Sequence, residues 1–294
     1  MPKFKFTSAA GETISLTDGI NYKLINIDKQ TGVSALLSTL VTGGVDGDVV
    51  NSAQAQPRTI VLDIRIVNDV ENTKRSLLHY FKLKQQGTLT WTQNERTLQI
   101  KGTVESIELS RWTNQSLMQI ALHCSQPFWA SLENVENDLQ EFIGLHYFTN
   151  EPGNMLFFSE TGIPFGEYNT DSSQEYYSDG DVAVGMEIEI IALDICTDPI
   201  IYNNRGEFFG CGIEGIAGRG VTMQQGDVIK INTTKNNKSA TLNGESILGK
   251  IKPNSTWLQM EPGINSFSFD SLERRLYGVT NNMRVVMSYK LLFV

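Results

Sequence analysis

Short segments in which apolar and polar residues alternate recur along nearly the whole chain, and this pattern constrains the fold most. The clearest segment, Thr59–Val67, has isoleucine or leucine at every second position (Ile60, Leu62, Ile64 and Ile66). A period of two places such residues on one face of a β-strand and leaves the other face polar. The sequence therefore predicts a mainly β protein whose strands bury one side.

One segment in the first 125 residues has the period of a helix instead. Residues 69–85 carry apolar side chains at helical spacing, with lysine and arginine largely on the other faces (Val70, Leu77, Leu78 and Phe81). Asn68 or Asp69 is suited to cap the start of this helix, and Gly87 is suited to end it. The sequence thus predicts one helix among strands.

The strands around this helix complete the prediction for the first half. Asp18-Gly19 predicts a β-hairpin over residues 13–27, because this dipeptide tolerates the positive φ of tight turns. Further strands are expected at Thr88–Thr92, Thr97–Ile107 and Ser116–Cys124. One helix against a small closed or split sheet would bury a single core, which indicates a split β-barrel or a small sheet with one helix.

The second half has the spacing of a β-sandwich. From about residue 150, short apolar runs recur about every ten residues, with turn signals such as Asn243-Gly244 between them. Such spacing predicts a β-sandwich or jelly roll. We expect a domain over residues 1–130, a linker over 131–150 in which Glu133–Glu141 is acidic and briefly helical, and the sandwich over 151–294.

Charge and composition exclude several classes of protein. The net charge is −9, which argues against general binding to nucleic-acid phosphates and suits a surface that DNA slides past. No apolar run reaches the roughly 18 residues that a membrane span needs, so we expect no membrane insertion. The three cysteines (Cys124, Cys196 and Cys211) lack metal-type spacing, and we expect them to be reduced and mostly buried.

No catalytic, cofactor or metal site emerges from the motifs. The glycines of residues 210–220 lack the helix that a nucleotide fingerprint requires, and tight turns explain them better. Asp171, Asp179 and Asp181 offer oxygen ligands, but the Asp179-Gly180-Asp181 spacing is too short to be diagnostic of Ca²⁺, and a solvated loop explains them better. His123 and Cys124 are neighbours on a predicted strand, so their side chains point to opposite faces. The sequence therefore predicts a protein that is not an enzyme.

A carbohydrate-binding protein is the alternative that the sequence leaves open. A jelly roll can bind glycans, and exposed aromatic rings could stack on sugars. Tyr176 and Tyr177 are the candidate glycan contacts, whereas the tryptophans are better explained as core or interface residues (Trp91, Trp112, Trp129 and Trp257).

The order of these elements resembles the distal tail protein family of long-tailed bacteriophages and related phage-like particles. The likeness rests on the following segments: the hairpin at Asp18-Gly19, the Arg58–Val67 strand with the Val70–Phe81 helix, Ile100–Val104 with Leu122–Trp129, and the C-terminal stretches Asn237–Glu245 and Ser255–Phe269. Their order and spacing cover nearly the whole chain.

This resemblance implies a structural protein of the virion tail. The N-terminal domain would form a homo-hexameric ring around a channel, and the C-terminal domain would be a galectin-like β-sandwich. The ring would connect the tail tube protein to the tail-tip or tail-associated protein and let DNA pass without specific binding. Assembly is expected in the cytoplasm of the bacterial host.

A glycine-rich segment is the candidate interface of such a ring. The small residues of Leu40–Pro57 permit close approach, and we hypothesise that they reach a neighbouring subunit or the tube. The candidate contacts are Gly43, Gly44, Val45, Asp46, Gly47, Asp48, Val49 and Val50. A mobile surface loop is the alternative interpretation of this segment.

Overall fold

The computed structural model describes residues 2–17, 19–41, 46–110, 116–139, 142–144, 166–168, 173–213, 218–278 and 282–294. The chain divides into two compact units. The first comprises Met1–Glu133 and Leu292–Val294, and the second comprises Asn134–Leu291. Strands dominate both units, so the prediction of a mainly β fold is confirmed.

The first unit is a sheet with one helix. Its elements before residue 133 are β1 (Lys3–Thr7), β2 (Thr13–Ser15), β3 (Tyr22–Asp28), β4 (Ala35–Leu40), β5 (Val49–Ala55), β6 (Arg58–Ile66), α1 (Val70–Tyr80), β7 (Gln86–Gln93), β8 (Arg96–Ser110), β9 (Ser116–Cys124) and β10 (Trp129–Ser131). The main sheet runs in the order β2-β1-β7-β8-β9-β6-β3, and every neighbouring pair in it is antiparallel.

The core of this unit follows from the alternation in the sequence. Along β6, Ile60, Leu62 and Ile64 are fully buried, and the residues between them face outward or are half-buried. The ring of Phe6 in β1 stacks on the ring of Phe81 just after α1, with centroids 4.1 Å apart. Leu77 of the helix is also fully buried. Burial of such side chains contributes roughly 1.5–3 kcal/mol each.

The hairpin predicted over residues 13–27 is wrong. β2 pairs with β1, and β3 pairs with β6, so the two strands lie at opposite ends of the sheet order. A hydrogen bond from the Leu24 amide to the Leu16 carbonyl (3.3 Å) brings these two ends together. The chain between β2 and β3 therefore joins the two ends of the sheet order and does not join two strands that pair with each other.

The helix is shorter than predicted. It begins after Asp69, which has a left-handed φ of 44° and makes no side-chain cap, and it ends at Tyr80. The Thr73 hydroxyl instead donates to the Asn68 carbonyl (3.0 Å). Gly87 lies in β7, opposite Gly102, and not at a helix end. The predicted helix end at Gly87 is therefore wrong.

Within its described residues, the second unit contains one six-stranded sheet, one four-stranded sheet and several two-stranded sheets. Its elements are β11 (Val135–Asp138), β12 (Phe142–Gly144), β13 (Gly166–Tyr168), β14 (Ser173–Ser178), β15 (Val184–Gly185), β16 (Glu187–Ala192), β17 (Cys196–Thr197), β18 (Ile200–Asn203), β19 (Phe208–Gly210), β20 (Thr222–Met223), β21 (Val228–Asn232), β22 (Ser239–Leu242), β23 (Glu245–Ser246), a 3₁₀ turn (Leu248–Lys250), β24 (Gln259–Met260), β25 (Gly263–Asp270), α2 (Leu272–Tyr277) and β26 (Met283–Tyr289). The large sheets run β11-β26-β16-β21-β22-β23 and β14-β25-β18-β19.

Part of the segment between the two predicted domains is a strand. Val135–Asp138, expected to be briefly helical, is a strand that pairs with β26 at the edge of the six-stranded sheet. The last strand, β27 (Leu292–Phe293), pairs with β10 and belongs to the first unit. The chain therefore crosses between the units twice.

Turn chemistry inside the second unit follows the sequence. Asn243 and Gly244 have φ of 48° and 89° and connect β22 to β23 as a two-residue hairpin turn. Among the described residues, neither helix is long and apolar enough to cross a membrane.

Candidate assembly interface

The strands β4 and β5 form a separate two-stranded sheet, which we call the arm (Ala35–Ala55). They pair with each other and with no other described strand. Every residue of both strands is exposed. A lone two-stranded hairpin is marginally stable in water, so the arm is an element that lacks a covering partner within the described residues of its own chain.

The surface of the arm is apolar on both faces. Leu36 and Leu37 are adjacent in β4 and therefore point to opposite faces, yet they are 59% and 53% exposed. Leu40, Val49 and Val50 add further exposed apolar surface. Soluble monomers rarely expose such a patch, and larger exposed patches mark interaction sites.

The arm also lacks the charges that normally protect an exposed strand. Residues 30–57 contain two charged side chains, Asp46 and Asp48, and both lie at the tip and outside the strands. Lysine or proline within an edge strand discourages pairing with another chain. Neither residue type occurs within β4 or β5, so both outer edges of the arm are suited to β-sheet pairing with a partner.

The arm extends the pairing of β3 with β6. β3 leads into β4 and β5 leads into β6, so Tyr22–Ile66 is one long hairpin with an interruption. At the interruption Lys29 and Gly32 have left-handed φ of 55° and 88°. The Gln56 amide donates to the Ser34 carbonyl (2.8 Å) and resumes the pairing on the far side.

Two buried side chains hold the root of the arm. The Trp129 indole Nε1 donates to the Gln30 carbonyl (2.8 Å), and Nη1 of Arg58 donates to the Gln30 and Gly32 carbonyls (both 3.3 Å). Both side chains are buried, and the Arg58 guanidinium lies 5.8 Å from the Trp129 ring centroid. Burial lowers the pKa of Arg58. The core of the first unit thus fixes where the arm leaves the sheet.

The structure places part of the predicted interface on this arm. Asp46, Gly47, Asp48, Val49 and Val50 are exposed at or next to its tip. Gly43, Gly44 and Val45 lie outside the described residues. The sequence interpretation missed the apolar strand β4, whose uncharged run from Ala35 to Val41 lacks the alternation used to find strands.

The two candidate glycan contacts do not share a surface. Tyr177 in β14 is 72% exposed and lies opposite the exposed Ile264 of β25. Its neighbour Tyr176 is half-buried and donates its hydroxyl to the Asp138 carbonyl (2.6 Å). Adjacent strand residues point to opposite faces, so the two rings cannot stack on one sugar.

The cysteines are buried, which confirms the expectation from the sequence. Burial raises the pKa of Cys124 to about 11 and the pKa of Cys196 and Cys211 to about 12. A reactive thiol needs a lowered pKa and access to solvent, so these thiols are packing groups. The described residues contain no cluster of histidine, cysteine and carboxylate side chains that could hold a metal ion.

Two protein-family models match the chain. Residues 9–124 match the phage tail protein RIFT-related domain, and this range includes the arm, Arg58 at its root and α1. Residues 215–281 match the C-terminal domain of the siphovirus-type tail component. Together the two models span more than half of the chain, in the order that the predicted family requires.

This chain belongs to the phage distal tail protein family.

One solved structure shares the fold of this distal tail protein. The Dit protein of phage SPP1, described as a paradigm of the hub adsorption apparatus in phages that infect Gram-positive bacteria, is 14% identical with a TM-score of 0.65. The alignment covers 98% of this chain and 99% of that chain. A chain of the phage P2 baseplate in its activated conformation with Ca is 11% identical with a TM-score of 0.48, over 100% of both chains. The first likeness shows a shared fold, and the second is too distant to support an inference. No curated protein sequence matches this distal tail protein.

Proposed function

We propose that this distal tail protein assembles with copies of itself into a ring at the distal end of the tail, and that the arm makes the contact between subunits. The ring, a hexamer as the family resemblance implies, joins the tail tube to the tail tip and leaves a channel. The observation that carries the proposal is the arm, an exposed and apolar β-ribbon without charges along its strands.

A ring requires two different surfaces on each subunit that fit one another and close by rotation. The arm supplies one surface that can add strands to a sheet, so that backbone hydrogen bonds provide affinity. Its leucine and valine side chains would lose their contact with water at the same time, which contributes roughly 25 cal/mol per Å² of apolar surface buried.

The proposed domain types rest on the sheets. The Leu24–Leu16 hydrogen bond and the one from the Tyr22 hydroxyl to the Ser15 carbonyl (2.6 Å) support a split barrel in the first unit. The six-stranded and four-stranded sheets support a galectin-like sandwich in the second. The net charge of −9 suits a channel through which DNA passes without binding. The role is structural rather than catalytic, and assembly takes place in the bacterial cytoplasm.

The test is to replace Ala35–Ala55 with a short glycine–serine turn and to measure the mass of the protein in solution. We expect wild-type protein to show a concentration-dependent oligomer by light scattering and rings by negative-stain microscopy, and the armless protein to stay monomeric. Circular dichroism and thermal unfolding establish that the armless protein is folded. As a matched control, Tyr177→Ser removes an exposed apolar side chain from the second unit and should leave rings intact.

A milder variant keeps the arm but changes its surface. Leu36→Ser combined with Leu37→Ser retains the ribbon and removes apolar area from both faces. We expect it to weaken association without abolishing it. Rings of unchanged mass from the armless protein would overturn the proposal, and so would a wild-type protein that is monomeric at every concentration even with tube and tip proteins present.

A further inference from the structure

The outer edge of β3 is open on the side opposite β6. β3 pairs with β6 along its length, and on its other side the Leu24 amide bonds to Leu16. Beyond that bond, Asn26 and Asp28 are exposed, and Ile25, at the irregularity of the β3–β6 pairing, is 46% exposed. Within the described residues no strand covers this edge, which makes it a place where a strand can be added.

Two basic side chains lie directly opposite one another on the exposed face beside this edge. Lys23 of β3 faces Arg65 of β6, and both are exposed. Like charges in this position are destabilising within a sheet. The nearest carboxylate along β6, Asp63, accepts from the amides of Asn26 (3.3 Å) and Gln119 (2.9 Å). The basic pair therefore favours an acidic group from outside the sheet.

The arm carries such a group. Asp46 and Asp48 are the two charged residues of the arm, and both are exposed at its tip. The basic pair lies near the open end of the Tyr22–Ile66 hairpin, and the two carboxylates lie at its closed end. Every residue of the arm strands is exposed, so the arm does not fold back onto its own β3. A strand of six residues spans about 20 Å, so the arm is long enough to reach beyond its own β3.

We propose that Asp46 and Asp48 of one subunit dock against Lys23 and Arg65 of the next, with the arm lying along the open edge of β3. This inference rests on the proposed ring and names the surface that receives the arm. One hairpin then carries both halves of the contact at its opposite ends, which makes the contact head-to-tail, as ring closure requires. Charge pairing at the tip sets the register of two uncharged strands that would otherwise slide.

The test is charge reversal with rescue in the full-length protein. Asp46→Lys with Asp48→Lys should weaken self-association about tenfold or more, because like charges then meet in the interface. Lys23→Glu with Arg65→Glu should do the same. This second variant replaces one like-charged pair by another within the sheet, so we expect its thermal unfolding to change little.

The protein with all four substitutions restores opposite charges and should regain rings. An equimolar mixture of the two double variants should associate more strongly than either variant alone, because opposite charges meet wherever the two variants alternate. The association of the wild type should weaken as salt is raised from 50 mM to 500 mM. Two control variants change the net charge equally on other exposed strands: Lys5→Glu with Lys101→Glu, and Glu136→Lys with Glu245→Lys.

The outcomes separate this inference from the proposed function. Weakening by both double variants without rescue would place the carboxylates against another surface and overturn the inference. Unchanged rings in both double variants would also overturn it, while loss of rings in the armless protein would leave the proposed function standing. Rings from the armless protein would overturn both this inference and the proposed function.

Discussion

Gly87 shows how one residue decides the packing of the first unit. A β-carbon at this position in β7 would overlap the ring of Phe6 and lie 2.9 Å from the Thr7 carbonyl oxygen. The Phe6 ring in turn stacks on Phe81, which follows α1. The absence of a side chain at Gly87 therefore lets the aromatic pair connect the helix to the sheet.

We expect Gly87→Ala to destabilise the first unit by about 1–3 kcal/mol, because the Phe6 ring must leave its place. Urea unfolding followed by a probe in the first unit measures the loss. Gly11→Ala is a poor control because φ is 85° there, but Gly249→Ala meets open space and should change stability little. Equal stabilities of Gly87→Ala and the wild type would contradict this account.

Among the elements, the two-residue strand β27 extends the main sheet of the first unit through β10. Its Phe293 is 5% exposed and pairs with Trp129 of β10, and the Arg96 guanidinium lies 3.8 Å from its ring centroid. β10 also pairs with β8, so β27 extends the main sheet of the first unit. A two-residue strand late in the sequence thus supports the strand that carries Trp129, which holds the root of the arm.

We expect Phe293→Ala to cost about 3–5 kcal/mol of the stability of the first unit and to leave the second unit unchanged. Thermal unfolding by calorimetry, with the transition of each unit assigned by cysteine labelling, measures both. Phe293→Leu retains most of the buried volume and serves as the matched control. A shift of the second unit's transition alone would contradict the assignment of β27 to the first.

The sequence predicted a strand where its own residue pattern determines it. It did not predict which strands pair when the partners are distant in the sequence. β9 has the predicted bounds, Ser116–Cys124, because apolar residues on its buried face alternate with more exposed residues along most of the strand. The hairpin at Asp18-Gly19 was wrong because the partners of β2 and β3 are β1 and β6. The tip of the arm was located by its glycines, but β4 was missed because a strand exposed on both faces shows no alternation.

At the scale of the whole molecule, each unit contains at least one buried cysteine, so the pH dependence of stability can be followed in each unit separately. Cys124 lies in the first unit, and Cys196 and Cys211 lie in the second. The pKa of each is raised from 9.0 by burial, to about 11 for Cys124 and about 12 for the others. The unfolded chain therefore releases these protons at a lower pH than the folded protein does.

We expect both units to lose stability as the pH rises above 9, because the unfolded state then binds fewer protons than the folded state. The loss should continue to about pH 11 in the first unit and about pH 12 in the second, and these thiols contribute no slope below pH 8. Urea midpoints at pH 8, 10 and 11 measure it. Cys124→Ala should flatten the slope of the first unit alone, and an unchanged slope there would contradict the role of this thiol.

The position of β27 also has a consequence for biosynthesis. A ribosome translating this chain completes the whole second unit before it reaches Leu292, so the first unit lacks its last strand while the second is being made. Nascent copies on one messenger therefore carry an arm whose supporting β10 is not yet held on both sides. The main sheet of the first unit is therefore complete only after translation has passed both units.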